Sequence, residues 1–319
     1  MPDPMNMRNN NSEDRIKKEL ERVAREELRE TESNRVQCLQ SLREWVEQNA
    51  DIENCLTDDN FLLRFLRVKK YSIPMAQQIL LKYLNYRKKF REIFYNLDYR
   101  DPKINELISK GYIFVSPFRD SKCRRVIIYD LSKFDVSKFN GVDLAKSHAI
   151  TYETLLDDDE TQILGVHHVA DVETISPQFL TLFTITEFSY LIKWGEQSFP
   201  LRHKEINLLN MPLAVKYVYD FAKSNMSQKL RDRFTVYHSK DSMLEKVDRH
   251  CLPKEYGGDV PAKEMIDLWK VELATKRKRL LSFDCMSLLS DQGIMCRKNR
   301  QTEDSTGSLL GSFRKLELD

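Results

Sequence analysis

The sequence predicts an α/β protein in which an N-terminal helical module precedes a mainly parallel β-sheet domain. Three observations lead there. The first hundred residues repeat their apolar positions at helical spacing, while past Pro102 the texture changes to short β-branched and aromatic runs. Those runs are separated by helical patterns of roughly 15–25 residues, the spacing of crossover connections between parallel strands. One of them, Arg125–Tyr129, is almost continuously apolar, as a strand buried on both faces must be.

Residues 1–11 are polar, include Asn9-Asn10-Asn11, and are expected to be disordered. From Ser12 charges of both signs alternate around a thin stripe of Ile16, Leu20, Val23 and Leu28, which reads as an exposed helix laid on another surface. Val36, Leu39, Leu42, Trp45 and Val46 mark a second helix. Thr57 is positioned to cap a third, with Asp58 and Asp59 at its positive end. Phe61, Leu62, Phe65 and Leu66 form its buried face, leaving Arg64, Arg67, Lys69 and Lys70 outside. Pro74 opens a fourth helix carrying Ile79, Leu80, Tyr83, Leu84 and Tyr86. Residues 12–100 thus form the helical module.

The second unit spans 101–275. Its expected strands are Tyr112–Val115, Arg125–Tyr129, Ile163–Val169, Glu205–Leu209 and Phe234–Tyr237. Its expected helices are Val142–Leu156, Ser176-Pro177 to Trp194, and Pro212–Lys223. Residues 276–319 are a C-terminal extension, with a mobile tail after Phe283 where Ser, Gly and charge dominate.

Composition narrows the function. Lys and Arg number 51 against 49 Asp and Glu, a net charge of +2, so bulk attraction to nucleic acid is not expected. No apolar run approaches 18 residues and no apolar stretch follows a basic start, which argues against a membrane span and a secretory signal. The six cysteines, Cys38, Cys55, Cys123, Cys251, Cys285 and Cys296, contain no CxxC pair and read as reduced cytosolic thiols. No GxGxxG, GxxxxGK[ST] or GxSxG motif occurs. Gly257-Gly258 reads as a turn. His167-His168 lies within a strand, so the rings face opposite ways, one in the core and one half-exposed, and cannot share a metal. Asp157-Asp158-Asp159-Glu160 lacks calcium-loop spacing and reads as a solvated helix end. Asp171 and Glu173 could pair for acid–base work, but no third group accompanies them. No enzyme, metal or cofactor is expected.

The unusual feature is the segment Met211–Lys223. Val215, Val218, Tyr219 and Ala222 form one apolar row, and Ala214, Tyr217 and Phe221 form another, divided by Lys216, Asp220 and Lys223. Two apolar faces require either burial all round or a lid with a ligand cavity beneath and a membrane above. Cations bracket it. Arg202 and Lys204 flank His203 and project together if the chain is extended, with Glu205 turned away and no other acid near in sequence. Lys229 and Arg233 lie one helical turn apart, and Arg67 adds a cation from the helical module. Anionic lipid headgroups fit such a cluster.

Three ordered motifs carry a resemblance. Leu56-Thr57-Asp58-Asp59-Asn60-Phe61-Leu62-Leu63-Arg64-Phe65-Leu66-Arg67, Ser198-Phe199-Pro200-Leu201 before a strand ending Asn210-Met211-Pro212, and Leu252-Pro253-Lys254-Glu255-Tyr256-Gly257-Gly258 together resemble the CRAL-TRIO lipid-binding family over about residues 15–275. Its branch of tocopherol and retinaldehyde carriers is the most similar. The resemblance implies a hydrophobic pocket closed by a gate helix, with His148, Tyr152, Val166, Ala170, Trp194, Phe199 and Ile206 facing the ligand. It implies a gate carrying Met211, Val215, Val218 and Phe221, the last three on the exposed side. It also implies a phosphoinositide site of Arg67, Arg202, Lys204, Lys229 and Arg233. Fungal phosphatidylinositol carriers hold the headgroup with a glutamate where Leu201 stands here, although Lys223 keeps the accompanying lysine; phosphatidylinositol is therefore not the expected cargo.

The expected function is a cytoplasmic carrier, peripheral on membranes, for a retinoid, tocopherol (vitamin E) or terpenoid-like molecule exchanged at phosphatidylinositol bisphosphate-bearing surfaces. The rival is a phosphoinositide-regulated trafficking adaptor with no dedicated cargo.

Overall fold

The computed structural model describes residues 4–175 and 177–295. Five strands form one sheet in chain order: β1 Ile113–Arg119, β2 Arg125–Asp130, β3 Val166–Asp171, β4 His203–Leu209 and β5 Phe234–Tyr237. β1 and β2 are antiparallel, with Phe114 opposite Ile128. The other neighbours are parallel, as expected, with Tyr129 beside Ala170 and Ala170 beside Leu208.

Helices of the N-terminal module are α1 Pro4–Arg22, α2 Glu32–Gln48, α3 Asp59–Val68 and α4 Ile73–Lys89, with a π-turn over Val23–Glu27. The first helix starts at Pro4, inside the stretch expected to be disordered; residues 1–3 lie outside the described residues. Val23 is buried in a small cluster with Cys123 and Leu164, which fixes the end of α1 to the sheet domain. The cap of α3 is Asp58 rather than Thr57: its carboxylate accepts from the Phe61 amide at 3.1 Å.

The arginines of α3 do not lie outside. Arg64 is fully buried and donates to Glu153 at 2.9 Å, and the Tyr83 hydroxyl donates to the other Glu153 oxygen at 2.6 Å. A helix flanked by two units has no outer face, so α3 is buried on its arginine side as well as its apolar side.

In the sheet domain, α5 Pro102–Lys110, α6 Gly141–Leu156 and α7 Asp159–Leu164 follow in turn. Ile163 and Leu164 were expected to begin a strand but end a helix instead. Gly165 breaks the chain there at φ 80°, where an added Cβ would meet the Arg202 carbonyl at 2.4 Å. The single helix expected from Ser176 to Trp194 is two pieces: a 3-10 turn Pro177–Thr181, then α8 Ile185–Lys193, restarted by a Thr184–Glu187 capping box. Ser176 itself lies outside the described residues. A π-turn, Trp194–Ser198, links α8 to β4, and α9 Leu213–Ser224 follows β4 in the chain.

The last helix, α10 Ala262–Ser282, runs beyond 275 and ties back to the helical module through Arg279 and Asp58 at 2.7 Å. Residues 283–295 are docked rather than loose. Asp284 pairs with the buried Arg87 at 3.0 Å, and Ser287–Leu288 lies antiparallel to Ile52–Glu53. Residues 296–319, where a mobile tail is expected, lie outside the described residues.

Candidate ligand pocket and basic cleft

Two of the residues expected to face a ligand, His148 and Tyr152, belong to a chain of polar rings whose other four members the sequence did not single out as ligand-facing. His148 and Tyr152, one turn apart on α6, face Tyr129 of β2, His168 of β3, His203 of β4 and Tyr112 just before β1. The links are Tyr112 to His148 Nε2 at 2.9 Å, His148 Nδ1 to Tyr152 at 3.3 Å, Tyr152 to Tyr129 at 3.0 Å, Tyr129 to His168 Nδ1 at 2.8 Å, and His168 Nε2 to His203 Nδ1 at 2.9 Å.

The direction of every hydrogen bond in this chain follows from its end. Burial holds His148 at about 4; burial and then Arg233 hold His203 at about 4; burial and then His203 push His168 well below its usual value. All three rings are therefore neutral near pH 7, each with one N–H. His203 hydrogen-bonds the Gly195 backbone. If that bond uses its N–H, Nδ1 must accept from His168, whose Nδ1 must accept from Tyr129. Tyr129 has then spent its proton and accepts from Tyr152, which accepts from His148, which accepts from Tyr112. Each donor is spent once. What remains free is acceptor capacity on the tyrosine oxygens.

Aromatic packing fills the adjoining space. Tyr152 stacks on Trp194 with centroids 6.0 Å apart, and Trp194 contacts Phe199 at 4.9 Å. Val166 and Ala170 are buried on the same sheet face as His168, and Ile206 is half-buried there. A cavity of about 190 Å³ lies beside Trp194, lined by Phe90, Phe94, Phe183, Tyr190 and Leu191. Of the expected pocket residues it includes Trp194 alone. This lining was not singled out in the sequence; its aromatics come from two units and show no shared spacing.

The two histidines of β3 do face opposite ways, but both are buried. His167 meets Asp120 at 3.1 Å and accepts from Asn207 at 2.6 Å. Burial would raise the Asp120 carboxyl, yet the hydrogen bonds from His167 and Arg124 hold it at about 2.

On α9 the exposed row differs from expectation. Val215 is buried and Val218 and Phe221 are half-buried, as is Met211 before the helix, while Leu213 and Tyr217 are 70% and 74% exposed. Phe221 turns inward towards Phe188 (6.3 Å) and Tyr219 towards Phe234 (5.8 Å). Lys223 lies over the Tyr219 ring at 5.0 Å.

Arg202, Lys204, Lys229 and Arg233 lie close together, Arg202 and Arg233 each helping to depress Lys204 and Lys229, and form the candidate basic cleft. Glu205 turns to the opposite face, as alternation requires, and pairs with Arg124 at 2.7 Å. The acid the sequence did not reveal is Glu27 of the π-turn: one of its oxygens accepts from Arg202 at 2.7 Å and from Lys204 at 2.6 Å. Arg233 donates to the His203 carbonyl, and Arg202 to that of Ile163. Burial and then Arg202 depress Lys204; desolvation and then Arg233, Lys70 and Arg202 depress Lys229. Burial is the largest cause of each shift; at Arg202 and Arg233 the nearby acids Glu27 and Glu196 work against it.

Arg67 does not join them as a free cation. It is 2% exposed and is held by Glu30 at 2.9 Å, Asp159 at 2.8 Å and Gln162 at 2.8 Å. The acidic run 157–160 is a helix end, as expected, with Asp158 capping α7 and Asp159 still exposed, and its carboxylates are also paired. Asp157 meets Lys276 at 2.7 Å, and Asp158 and Glu160 meet Arg119 at 3.2 and 2.6 Å. Asp171 accepts from the Glu173 amide, closing a turn. Gly257 takes a positive φ of 94°, as a turn glycine does.

A helical module set on a mainly parallel five-stranded sheet is an α/β architecture. Residues 109–258 match the family model described as CRAL/TRIO domain, and residues 31–104 match one described as Pinta-like, UBA domain. The chain is 30% identical over 244 residues to alpha-tocopherol transfer protein-like of Mus musculus, spanning 76% of this chain and 71% of that one. It is 29% identical over 240 residues to clavesin-1 of Xenopus laevis, spanning 75% and 72%. The crystal structure of Sfh5 shares the fold, with a TM-score of 0.54 at 14% identity over 79% of this chain and 99% of that one. The chain belongs to the CRAL/TRIO family, a family of lipid carriers and not of enzymes. No helix among the described residues is long and apolar enough to cross a membrane.

Proposed function

We propose that this protein is a cytosolic carrier that shelters a small hydrophobic molecule of the retinoid, tocopherol or terpenoid kind and exchanges it at phosphoinositide-bearing membranes. The observation that carries this reading is the gathering of Arg202, Lys204, Lys229 and Arg233 around one carboxylate, Glu27, whose single oxygen takes both Arg202 and Lys204. Arg231 donates to the Lys223 carbonyl, joining the cleft segment to α9, while Leu213 and Tyr217 offer apolar surface to a membrane. Headgroups that bind the cleft more tightly when α9 is displaced shift the population towards the open form.

The ring chain adds a preference for cargo. Its donors are spent on one another and its tyrosine oxygens retain acceptor capacity, so a hydroxyl that donates fits better than a carbonyl. The cavity, at about 190 Å³, is smaller than the roughly 300–1,000 Å³ usual for a drug-sized ligand, so loading requires it to widen. The test is transfer of retinol or tocopherol between vesicles. Transfer should be faster to acceptors containing phosphatidylinositol bisphosphate than to neutral ones, and equal rates would refute the exchange mechanism.

The small cavity and self-satisfied rings favour a second reading, a phosphoinositide-regulated adaptor without dedicated cargo. It predicts vesicle binding without transfer.

A further inference from the structure

We infer that Glu27 is a built-in competitor for the ligand of the basic cleft, and that it restricts the cleft to headgroups bearing phosphomonoesters. The inference rests on the proposal that the cleft receives anionic headgroups. A single Glu27 oxygen takes both Arg202 and Lys204, at 2.7 and 2.6 Å, which is the contact one phosphate oxygen would make with the same pair. The carboxylate is delivered by a packed element. Val23 at the start of its turn and Leu28 just after it are both buried, and the Leu28 amide donates to the Val23 carbonyl at 3.1 Å. Its side chain stays one-third exposed, so a ligand can reach it from solvent.

Charge then sets a threshold. Burial opposes ionisation of Glu27, but Lys204 and Arg202 outweigh it and keep the carboxylate charged. A phosphodiester headgroup carries one negative charge, like Glu27, and must displace a carboxylate already held nearby at the effective concentration of a tethered group. Exchanging one charge for one gains nothing electrostatically. A phosphomonoester carries about −1.5 to −2 and three acceptor oxygens, enough to replace Glu27 at Arg202 and Lys204 and still engage Lys229 and Arg233. Displaced Glu27 would also loosen the hold of the 23–27 turn on β4.

The experiment compares the full chain with Glu27→Gln and Glu27→Asp, after thermal melting shows all three folded. Binding is titrated on phosphatidylcholine vesicles containing phosphatidylserine, phosphatidylinositol or phosphatidylinositol bisphosphate, and to inositol trisphosphate in solution. Wild type should prefer the bisphosphate. Glu27→Gln should bind the phosphodiester vesicles about fivefold more tightly, the worth of one surface charge, and gain less on the bisphosphate, so selectivity falls. Glu27→Asp should stay near wild type. Binding of inositol trisphosphate as tight as that of vesicles assigns the phosphomonoester alone as ligand; weaker binding assigns the lipid surface a share. Unchanged or weaker binding of Glu27→Gln on every vesicle overturns the inference and makes Glu27 a scaffold. A wild type blind to the bisphosphate overturns the cleft reading itself, and the inference with it.

Discussion

Arg64 of α3 and Glu153 of α6 meet at 2.9 Å with both side chains sealed from solvent, a charged bolt between the helical module and the sheet domain. Removing one partner strands a buried charge, which costs about 3 to 5 kcal/mol. Arg64→Ala should therefore lower the unfolding free energy by about that amount in a denaturant titration. A loss under about 1 kcal/mol, the range of exposed pairs, would contradict the buried geometry.

Arg67 should behave alike, despite its resemblance to a headgroup ligand. Its guanidinium is spent on Glu30, Asp159 and Gln162. Arg67→Gln is expected to lower the thermal midpoint, with phosphoinositide vesicle affinity of the folded fraction unchanged.

Cleft cations should, by contrast, carry vesicle affinity. Neutralising Arg202 and Lys204 together removes about 2 kcal/mol near an anionic surface, close to a thirtyfold loss of vesicle affinity. That loss shrinks as salt rises, because screening already weakens the wild-type contact. Titrations at low and physiological salt check both points.

Acid should destabilise the fold through the ring chain. Free imidazoles bind protons near 6.5, whereas burial holds His148 and His203 at about 4 in the fold. The unfolded chain therefore protonates first as pH falls. The contribution of these rings is complete above about pH 6.5 and is lost progressively between there and about 4, a few kcal/mol in all. Unfolding free energy measured across pH 7 to 4 should fall, and His148→Asn should flatten part of the slope.

On α9 the two faces should separate by mutation. Leu213 and Tyr217 are exposed, so Leu213→Asp with Tyr217→Asp should stay within about 1 kcal/mol of wild-type stability, at roughly 0.5 per surface site, while weakening vesicle association. Val215→Asp buries a charge and should lower stability sharply. Equal effects from both rows, seen in melting and vesicle sedimentation, would mean the helix has no free face.

Much of the frame was legible in the chain. The β-branched run Val126–Tyr129 and the alternation that sends Glu205 away from Lys204 are local properties, and local properties survive folding. The short apolar run at Ile163 was not resolvable, because four to eight apolar residues suit a strand and a buried helix end equally. The partners of the cations were invisible for a different reason. Glu27 lies 175 residues from Arg202, and Asp159 lies 92 from Arg67. A side chain counted as free in the sequence had its countercharge on another element. The rotation of α9 is not fixed by its own sequence, because two apolar rows leave the buried one undetermined until Phe188 and Phe234 are in place.

A carrier is defined most directly by what its interior holds. Lipid should be extracted from protein purified under native conditions from its own cells and weighed by mass spectrometry against protein amount. A near-stoichiometric small hydrophobe bearing a hydroxyl is the result expected of a carrier with spent donors around Tyr129 and Tyr152. Protein that yields no bound molecule, yet still binds phosphatidylinositol bisphosphate vesicles, would contradict the carrier claim and leave the adaptor in its place.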